Sequence, residues 1–266
     1  MLLSNLLNSG GNTMKLLKKN IALTALLIAS PLAATAVEVE VSANVALTTD
    51  YRFRGISQTD EKPAIQGGFD VALDNGIYIG TWGSNVDFAN SLELDYYIGF
   101  ANDINEDWSY DVGYIYYDYP GADSTQREYN SSAKDDYQEF YAKVSFMGFT
   151  LGGAYSDDYY LETGEFYYLH GEYTYTFTEF YDIGLDLHVG NNNFEYKSTD
   201  SNLKDAERAF LTDGEDSYWD YSIGLTKGFM GVDFSLTWVD TDLNKSECFD
   251  ENWCDSTFIL AVSKSL

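Results

Sequence analysis

Apolar residues recur at every second position along most of this chain. Between Val39 and Leu47 apolar side chains alternate with mostly polar ones, and Leu92–Phe100, Ile183–Val189 and Val232–Trp238 repeat the pattern. Successive side chains of a β-strand point to opposite faces, so this period predicts strands with one apolar and one polar face. We count twelve such runs, near 38–51, 64–73, 77–85, 92–101, 108–119, 137–147, 149–157, 166–177, 181–190, 218–229, 232–240 and 256–265.

The connections between these runs alternate in length. Asp74–Gly76, Met147–Gly148 and Met230–Gly231 are short, whereas connections such as Arg52–Pro63 and Pro120–Asp136 are long. Outer-membrane barrels have short periplasmic turns and long extracellular loops, and bacterial ones have an even number of strands. The pattern predicts an all-β fold, namely a transmembrane antiparallel up-and-down β-barrel of about twelve strands that forms one domain over residues 37–266.

The first 36 residues differ from the rest. They contain no acidic residue, and three lysines precede the apolar stretch Ile21–Ile28, which is too short to span a membrane as a helix. Ala34–Ala36 has the small-x-small form of a cleavage site. We therefore predict a signal peptide over residues 1–36, with Met14 as an alternative start, and export to the bacterial outer membrane. A retained helical anchor is the alternative.

Acidic residues dominate the charge. The chain has 43 Asp and Glu residues against 15 Lys and Arg residues, which gives a formal net charge of -28 at pH 7. This balance argues against binding to nucleic acid, which requires a basic face. The hydrophobic share of 45% is too high for a disordered chain.

Aromatic residues gather where the predicted strands end. Those near the short connections are Trp108, Phe146, Phe149, Phe177, Tyr181 and Phe229. Those near the opposite strand ends are Tyr51, Phe53, Tyr155, Trp219 and Trp238. Two aromatic bands are typical of the interfaces of a membrane barrel, whereas the strand propensity of aromatic residues is the simpler explanation for any single one.

Three segments early in the predicted mature chain carry a family resemblance: Ser42–Gln58, which reads SANVALTTDYRFRGISQ, Pro63–Asp70, and Gly80–Val86, which reads GTWGSNV. In these residues the chain resembles the TorF family of putative porins. The resemblance extends over the predicted mature chain. It implies an outer-membrane barrel of the proteobacterial type that is described as a porin and has no established substrate.

If the apolar face of each strand contacts lipid, the polar face lines the lumen. The predicted lumen and selectivity residues are Arg52, Arg54, Asp70, Glu93, Asp95, Asp111, Glu139, Lys143, Glu172, Asp186 and Asp233, and Asp220 has the same parity. An acidic passage repels anions and enriches cations. We expect a porin-like channel for passive diffusion of small solutes with a preference for cations. The alternative is a closed structural or adhesive surface barrel without a conducting pore.

Arg52 and Arg54 follow the first predicted strand and share a face with Asp50. They would either form a constriction that orients solutes or make structural ion pairs.

The two histidines fall on the polar faces of neighbouring predicted strands. A register that places His170 opposite His188 also places Glu172 opposite Asp186, and side chains opposite each other in a sheet have Cβ atoms about 5 Å apart. The four groups could hold a divalent transition metal, change protonation near neutral pH, or line the lumen through hydrogen bonds. Hydrogen bonding is the simplest of these interpretations.

Cys248 and Cys254 are the two cysteines of the chain, and in an exported protein they are expected to form a disulfide. The long loops are acidic and either bind divalent cations that bridge the lipid surface or keep that surface solvated. The acidic loop residues are Asp135, Asp136, Asp157, Asp158, Glu215, Asp216, Asp250 and Glu251.

No nucleophile motif accompanies the histidines, so we expect no enzymatic activity, and we expect no resident cofactor beyond divalent cations at the loops or in the lumen. The expected partners are outer-membrane lipid, the barrel-assembly machinery and periplasmic chaperones during export, and small hydrophilic solutes.

Overall fold

The computed structural model describes residues 38–88, 91–122, 133–196, 211 and 215–266. The predicted signal peptide lies outside these residues. Within the described ranges, no helix has the length and apolarity needed to cross a membrane.

The described residues form twelve long strands and one hairpin of two short strands. The bounds are β1 Val39–Thr48, β2 Arg52–Phe53, β3 Ile56–Ser57, β4 Ala64–Leu73, β5 Ile77–Asn85, β6 Leu92–Asp103, β7 Trp108–Asp118, β8 Tyr137–Phe146, β9 Phe149–Ser156, β10 Gly164–Phe177, β11 Ile183–Tyr196, β12 Ser217–Phe229, β13 Val232–Thr241 and β14 Thr257–Ser265. Single turns of 3₁₀ helix occupy Tyr160–Glu162 and Thr178–Phe180.

The twelve long strands close into one antiparallel barrel. Each pairs with its neighbours in chain order, and β1 pairs with β4 on one side and with β14 on the other. The closing ladder runs from Asn44 opposite Ser265 to Thr48 opposite Ala261. Closure leaves no free strand edge, which a bilayer requires because hydrocarbon cannot pair with backbone groups. The predicted fold class and strand number are confirmed.

Short turns and long loops lie at opposite rims of the barrel, as predicted. Met147-Gly148 and Met230-Gly231 make two similar hairpins, with φ angles of 47° and 88° in the first and 54° and 74° in the second. Two consecutive residues of positive φ are what a type I′ turn requires, and this turn matches the natural twist of the strands it joins.

The outer face of the barrel is apolar. Every long strand exposes at least one large apolar side chain, and Val41, Phe140, Leu151, Leu169 and Phe258 are exposed by 60–69%. A continuous belt of this kind far exceeds the apolar patches of soluble monomers and suits a barrel solvated by hydrocarbon.

The aromatic residues predicted at the two rims differ in their exposure. At the short-turn rim Trp108, Tyr181 and Phe229 are exposed, as predicted. At the other rim the prediction is wrong for Tyr51, which is buried, and for Phe53, which packs against the buried core. The reason is that the chain does not continue along the rim after β1 but turns into the barrel.

Candidate solute pathway inside the barrel

The polar face of each strand points inward. Glu93, Asp95, Glu139 and Asp220 are almost fully buried, with exposed fractions of 0–3%. Asp70, Asp111, Lys143, Glu172 and Asp186 are partly buried on the same inner face. Asp233 is exposed and lies opposite Gly228 near the short-turn rim.

The inner wall is asymmetric. Along β5–β8 large rings lie over glycines of adjacent strands, and a Cβ at Gly80 or Gly99 would approach the ring of Tyr97 or Tyr78 to 2.3–2.4 Å. The hydroxyl groups of these tyrosines donate hydrogen bonds to wall carboxylates, from Tyr97 to Asp70 at 2.5 Å and from Tyr78 to Asp111 at 2.6 Å.

The opposite wall carries small side chains. A cavity of about 170 Å³ lies against it. Its lining on this side includes Ser222, Thr226, Ser235, Thr237 and Ala261, and on the other side it includes Tyr141, Lys143, His170, Glu172, Asp186 and His188. The lumen that remains is therefore lined by hydroxyl groups on one side and by ionisable groups on the other.

A hairpin closes this cavity toward the long loops. It consists of β2, β3 and the tip residues Arg54 and Gly55, which have φ angles of 48° and 84°. A Cβ at Gly55 would lie 2.4 Å from Cγ2 of Thr241 and 3.1 Å from Cβ of Asp220. Glycine is needed there both for the positive φ and for the close approach to the opposite wall. The hairpin, Arg52–Ser57, therefore extends across the lumen, and we call it the inserted hairpin.

Arg54 anchors the tip of the inserted hairpin. Its Nη1 and Nη2 atoms donate to Oε1 and Oε2 of Glu139, each at 2.8 Å. The guanidinium carbon also lies 4.4–4.6 Å from the ring centroids of Phe53, Phe166 and Tyr168. Burial disfavours the charged form of Arg54, but the Glu139 carboxylate outweighs this effect and raises the pKa of Arg54. The group thus remains charged.

Arg52 anchors the base of the inserted hairpin. Its Nε atom donates to Oδ2 of Asp50 at 2.6 Å, and its Nη1 atom donates to backbone oxygens of Gly55, Trp253 and Asp255. Both arginines therefore form ion pairs within the protein, which is one of the two interpretations that the sequence leaves open.

The last long loop lies over the inserted hairpin. Cys248 and Cys254 form a disulfide in it, as predicted. The backbone N–H of Ser57 donates to the carbonyl of Trp253 at 2.9 Å, and the indole N–H of Trp253 donates to Asp60 at 2.8 Å. These contacts connect the disulfide loop to the hairpin.

Buried rings fill the remaining space at the long-loop end. The cluster includes Tyr51, Trp82, Tyr117, Tyr119, Tyr137, Tyr159, Phe166, Phe194 and Tyr218. Tyr117 and Tyr137 stack with their centroids 4.4 Å apart, and Tyr159 stacks on Phe166 at 4.3 Å. Together with the inserted hairpin, these rings obstruct the long-loop half of the lumen.

Two carboxylates lie deep in this obstructed half. Oε1 of Glu93 accepts a hydrogen bond from the Tyr51 hydroxyl at 3.0 Å. The other oxygen of Glu93 and both oxygens of Asp95 have no hydrogen-bond partner among the described residues.

The two histidines lie lower, beside the cavity. His170 and Glu172 are on β10, and His188 is on β11 opposite Glu172. The predicted pairing of His170 with His188 is wrong by two residues, since His170 faces Gly190. The connection before β11 is longer than predicted because Tyr181 and Asp182 adopt positive φ angles of 60° and 54° after the 3₁₀ turn. A shift of two residues keeps every side chain on its face, so the histidines still meet in the lumen.

Three of the four predicted metal ligands come together. Nδ1 of His170 and Nδ1 of His188 lie 3.3 and 3.5 Å from Oε1 of Glu172. Asp186 lies outside this group, and its carboxylate accepts a hydrogen bond from Thr226 at 3.1 Å.

Asp220 is the fourth member of the cluster in place of Asp186. Its Oδ1 atom lies 2.8 Å from Nε2 of His188, on the side of the ring that faces away from Glu172. Asn192 donates to its other oxygen at 2.8 Å, and Tyr168 donates to Oδ1 at 3.3 Å. Asn192 and Tyr168 were not among the predicted lumen residues. The alternation along β10 and β11 places both side chains on the inner face, and this was the signal in the sequence that could have identified them.

The acidic loop residues have varied surroundings. Asp135 is buried, Asp136 accepts a hydrogen bond from the backbone of Tyr119, and Asp157 accepts one from Gln138. Glu215, Asp216, Asp250 and Glu251 are exposed.

Residues 32–266 match a family described as bacterial protein of unknown function (Gcw_chp). The chain belongs to the Gcw_chp family. The Gcw_chp match includes all twelve barrel strands and the inserted hairpin. No curated protein sequence is significantly similar to the chain.

Solved porin structures are similar to this Gcw_chp barrel in fold. The KdgM porin superposes with a TM-score of 0.50 at 10% identity, covering 85% of this chain and 99% of KdgM. The NanC porin gives 0.47 at 11% identity, covering 84% and 98%. OprD of Pseudomonas aeruginosa gives 0.41 at 13% identity, covering 86% and 66%. At these identities the likeness concerns the fold alone.

Proposed function

We propose that the protein is an outer-membrane, porin-like channel for passive diffusion of small hydrophilic solutes, with a preference for cations. The carrying observation is the contrast between a lipid-compatible exterior and an interior lined by carboxylates and hydroxyl groups. The proposed function is transport by diffusion and includes no catalysed reaction.

The outer-membrane location rests on the wall of the barrel. The apolar belt covers every strand, and the β1–β14 ladder satisfies the last backbone edge. The disulfide between Cys248 and Cys254 fits an exported protein. The signal peptide over residues 1–36 belongs to the same proposal.

The cation preference rests on the balance of charge that faces the cavity. Arg52 and Arg54 are paired with Asp50 and Glu139. Lys143 is the remaining inward-facing base within the described ranges, and its ammonium group lies 5.8 Å from the ring centroid of Tyr141. It faces a larger set of carboxylates, which includes Asp70, Asp111, Glu172 and Asp186. A low-dielectric passage with this excess of acids concentrates cations.

The TorF resemblance enters the proposal through one segment. Ser42–Gln58, one of the three segments that carry the resemblance, contains most of β1 and the whole inserted hairpin, and the hairpin obstructs the lumen. In the proposal, the inserted hairpin is the movable part of the pore, and solutes pass when its tip is displaced from Glu139.

A closed structural or adhesive barrel is the second candidate. The observation in its favour is the packing of the long-loop half, where the Arg54–Glu139 pair and the stacked tyrosines leave little free space. In this candidate the hairpin is a permanent plug.

Planar-bilayer recording separates the two candidates. The purified protein, checked for folding by its heat-dependent electrophoretic mobility, is added to a bilayer in a potassium chloride gradient. The channel proposal predicts discrete conductance steps with a reversal potential of the sign for potassium, and liposome swelling with sugars of graded size then gives the size limit. Folded protein without conductance favours the closed barrel, and a reversal potential of the sign for chloride rejects the cation preference.

A further inference from the structure

Three buried ligand atoms converge at one point of the lumen wall. Nδ1 of His170, Nδ1 of His188 and Oε1 of Glu172 all lie within 4.8 Å of one another. The three side chains are only 8–10% exposed. Both Nδ1 atoms lie within ion-pair distance of Oε1 of Glu172, but none of the three atoms makes a hydrogen bond within the described ranges, which is costly for buried polar atoms.

Two groups contact Nε2 of His188: Oδ1 of Asp220 at 2.8 Å and the hydroxyl of Tyr168 at 2.8 Å. Because a carboxylate accepts hydrogen bonds and donates none, Nε2 carries a proton. Nδ1 of the same ring lies 3.5 Å from Oε1 of Glu172. This distance is satisfied either by a proton on Nδ1 or by a metal ion bound to both atoms.

The spacing suits a metal ion. Ligand atoms about 2.1 Å from a tetrahedral zinc ion lie about 3.4 Å from one another. The two measured separations from Oε1 of Glu172 are 3.3 and 3.5 Å. The two Nδ1 atoms lie within 4.8 Å of each other.

The surroundings hold the ligands in place. Asp220 orients His188 through Nε2, and Asn192 in turn orients Asp220 with a 2.8 Å hydrogen bond. Carboxylates that accept from the distal nitrogen of a metal-bound imidazole are a regular feature of metal sites. On the other side, Gly152 makes room for His170, since a Cβ there would lie 2.3 Å from Nε2 of that ring.

The geometry points to a binding site for a divalent transition metal ion in the lumen, with His170, Glu172 and His188 as ligands and Asp220 as a positioning residue. Two imidazole nitrogens favour zinc, copper or nickel over calcium and magnesium, which prefer oxygen ligands. All three ligands line the cavity below the inserted hairpin, so the remaining coordination positions are open to water or to a solute. The site does not depend on whether the barrel conducts.

Zinc titration by calorimetry tests this site. The protein carries no polyhistidine tag, and excess calcium is present to saturate the acidic loops. We expect one zinc ion per chain. Replacement of a ligand, as in His170→Ala, His188→Ala or Glu172→Gln, should weaken binding at least 100-fold.

Asp220→Asn should weaken zinc binding by about 10- to 100-fold, because Asp220 acts through the orientation of His188. Asp186→Asn is the matched control, since it removes a lumen carboxylate of the same strand region that is not a ligand, and it should bind zinc as the unmodified protein does. Variants that lose their heat-dependent mobility are read as unfolded.

Cobalt provides a readout that needs no variant. Tetrahedral coordination by two imidazoles and a carboxylate should give intense visible absorption bands with one equivalent of cobalt, and zinc should abolish them. The inference is overturned if cobalt remains spectroscopically octahedral, if calcium competes zinc away, or if folded His170→Ala and Glu172→Gln proteins bind zinc unchanged.

Discussion

Arg54 and Glu139 meet inside the barrel through two hydrogen bonds of 2.8 Å, although they are 85 positions apart in the chain. The pair joins the tip of the inserted hairpin to the inner face of β8. Both side chains are buried, so the two charges compensate each other out of contact with bulk solvent.

Removal of one member of this pair should release the hairpin. Arg54→Met leaves the buried Glu139 charge without its cationic partner and with only the hydrogen bond from the Tyr117 hydroxyl, and the loss of one member of a buried ion pair typically costs about 3–5 kcal/mol. We expect a lower unfolding midpoint in urea and a larger single-channel conductance than in the unmodified protein.

The double variant Arg54→Met, Glu139→Gln removes both charges and should recover part of the stability. Lys62→Met, which breaks exposed ion pairs with Asp60 and Asp87, is the control and should leave both measurements unchanged. Unchanged conductance and stability in Arg54→Met would show that the pair does not hold the hairpin.

Gly55→Ala should displace the same hairpin by a steric route. The added methyl group would face Cγ2 of Thr241 at 2.4 Å on a backbone with a φ of 84°. Strain at such a residue costs on the order of 1–3 kcal/mol. Gly171→Ala is the matched control, because its added Cβ would meet only Val189 at 3.9 Å. Equal stability and conductance of the two variants would contradict the close packing of the hairpin tip against Thr241.

Two equally exposed aliphatic side chains should respond differently to a charge. Leu169, in the middle of β10, and Ile104, in a short turn, are each 60% exposed. An arginine on the lipid face near the bilayer midplane costs about 2–4 kcal/mol, whereas one at the rim costs much less. Refolding into liposomes, followed by urea titration, should therefore show a large loss for Leu169→Arg and little for Ile104→Arg. Equal losses would argue against a bilayer around this belt.

Reduction of the disulfide should loosen the last long loop. The bond closes a short ring of residues, for which the chain-entropy relation gives about 2 kcal/mol. We expect faster cleavage of this loop by protease and a lower unfolding midpoint after treatment with dithiothreitol. The variant with Cys248→Ser and Cys254→Ser should show both effects without reductant and no further response to it. Insensitivity of the unmodified protein would mean that the loop is held by its non-covalent contacts, such as those with Arg52, Ser57 and Asp60.

The wall of the barrel could be predicted from the sequence because it repeats a local rule. Alternation of the kind seen from Val39 to Leu47 assigns each side chain to a face, and the short and long connections assign the rims. The register between β10 and β11 required the conformations of Tyr181 and Asp182, which no pattern of hydrophobicity encodes. The predicted register, wrong by two residues, placed Asp186 opposite Glu172, whereas it lies opposite Thr174 on the same inner face and outside the histidine cluster.

The inserted hairpin could not be predicted in the same way. Arg52–Pro63 has the composition of a surface loop. Its position inside the barrel depends on contacts with residues far along the chain, such as Glu139 and Trp253. Its local signal was a glycine after Arg54, flanked by Phe53 and Ile56, which is compatible with a tight turn between two short strands. The sequence could not indicate that the turn faces inward.

The anchorage of Arg52 sets an order of events during assembly. Its guanidinium donates to the carbonyl of Asp255, which is 203 positions away and lies two residues before the final strand. The contacts that hold the inserted hairpin are therefore incomplete until β14 has paired with β1. The lumen of a partly assembled barrel would therefore be unobstructed, and the hairpin would obstruct it only in the last step, when the barrel closes.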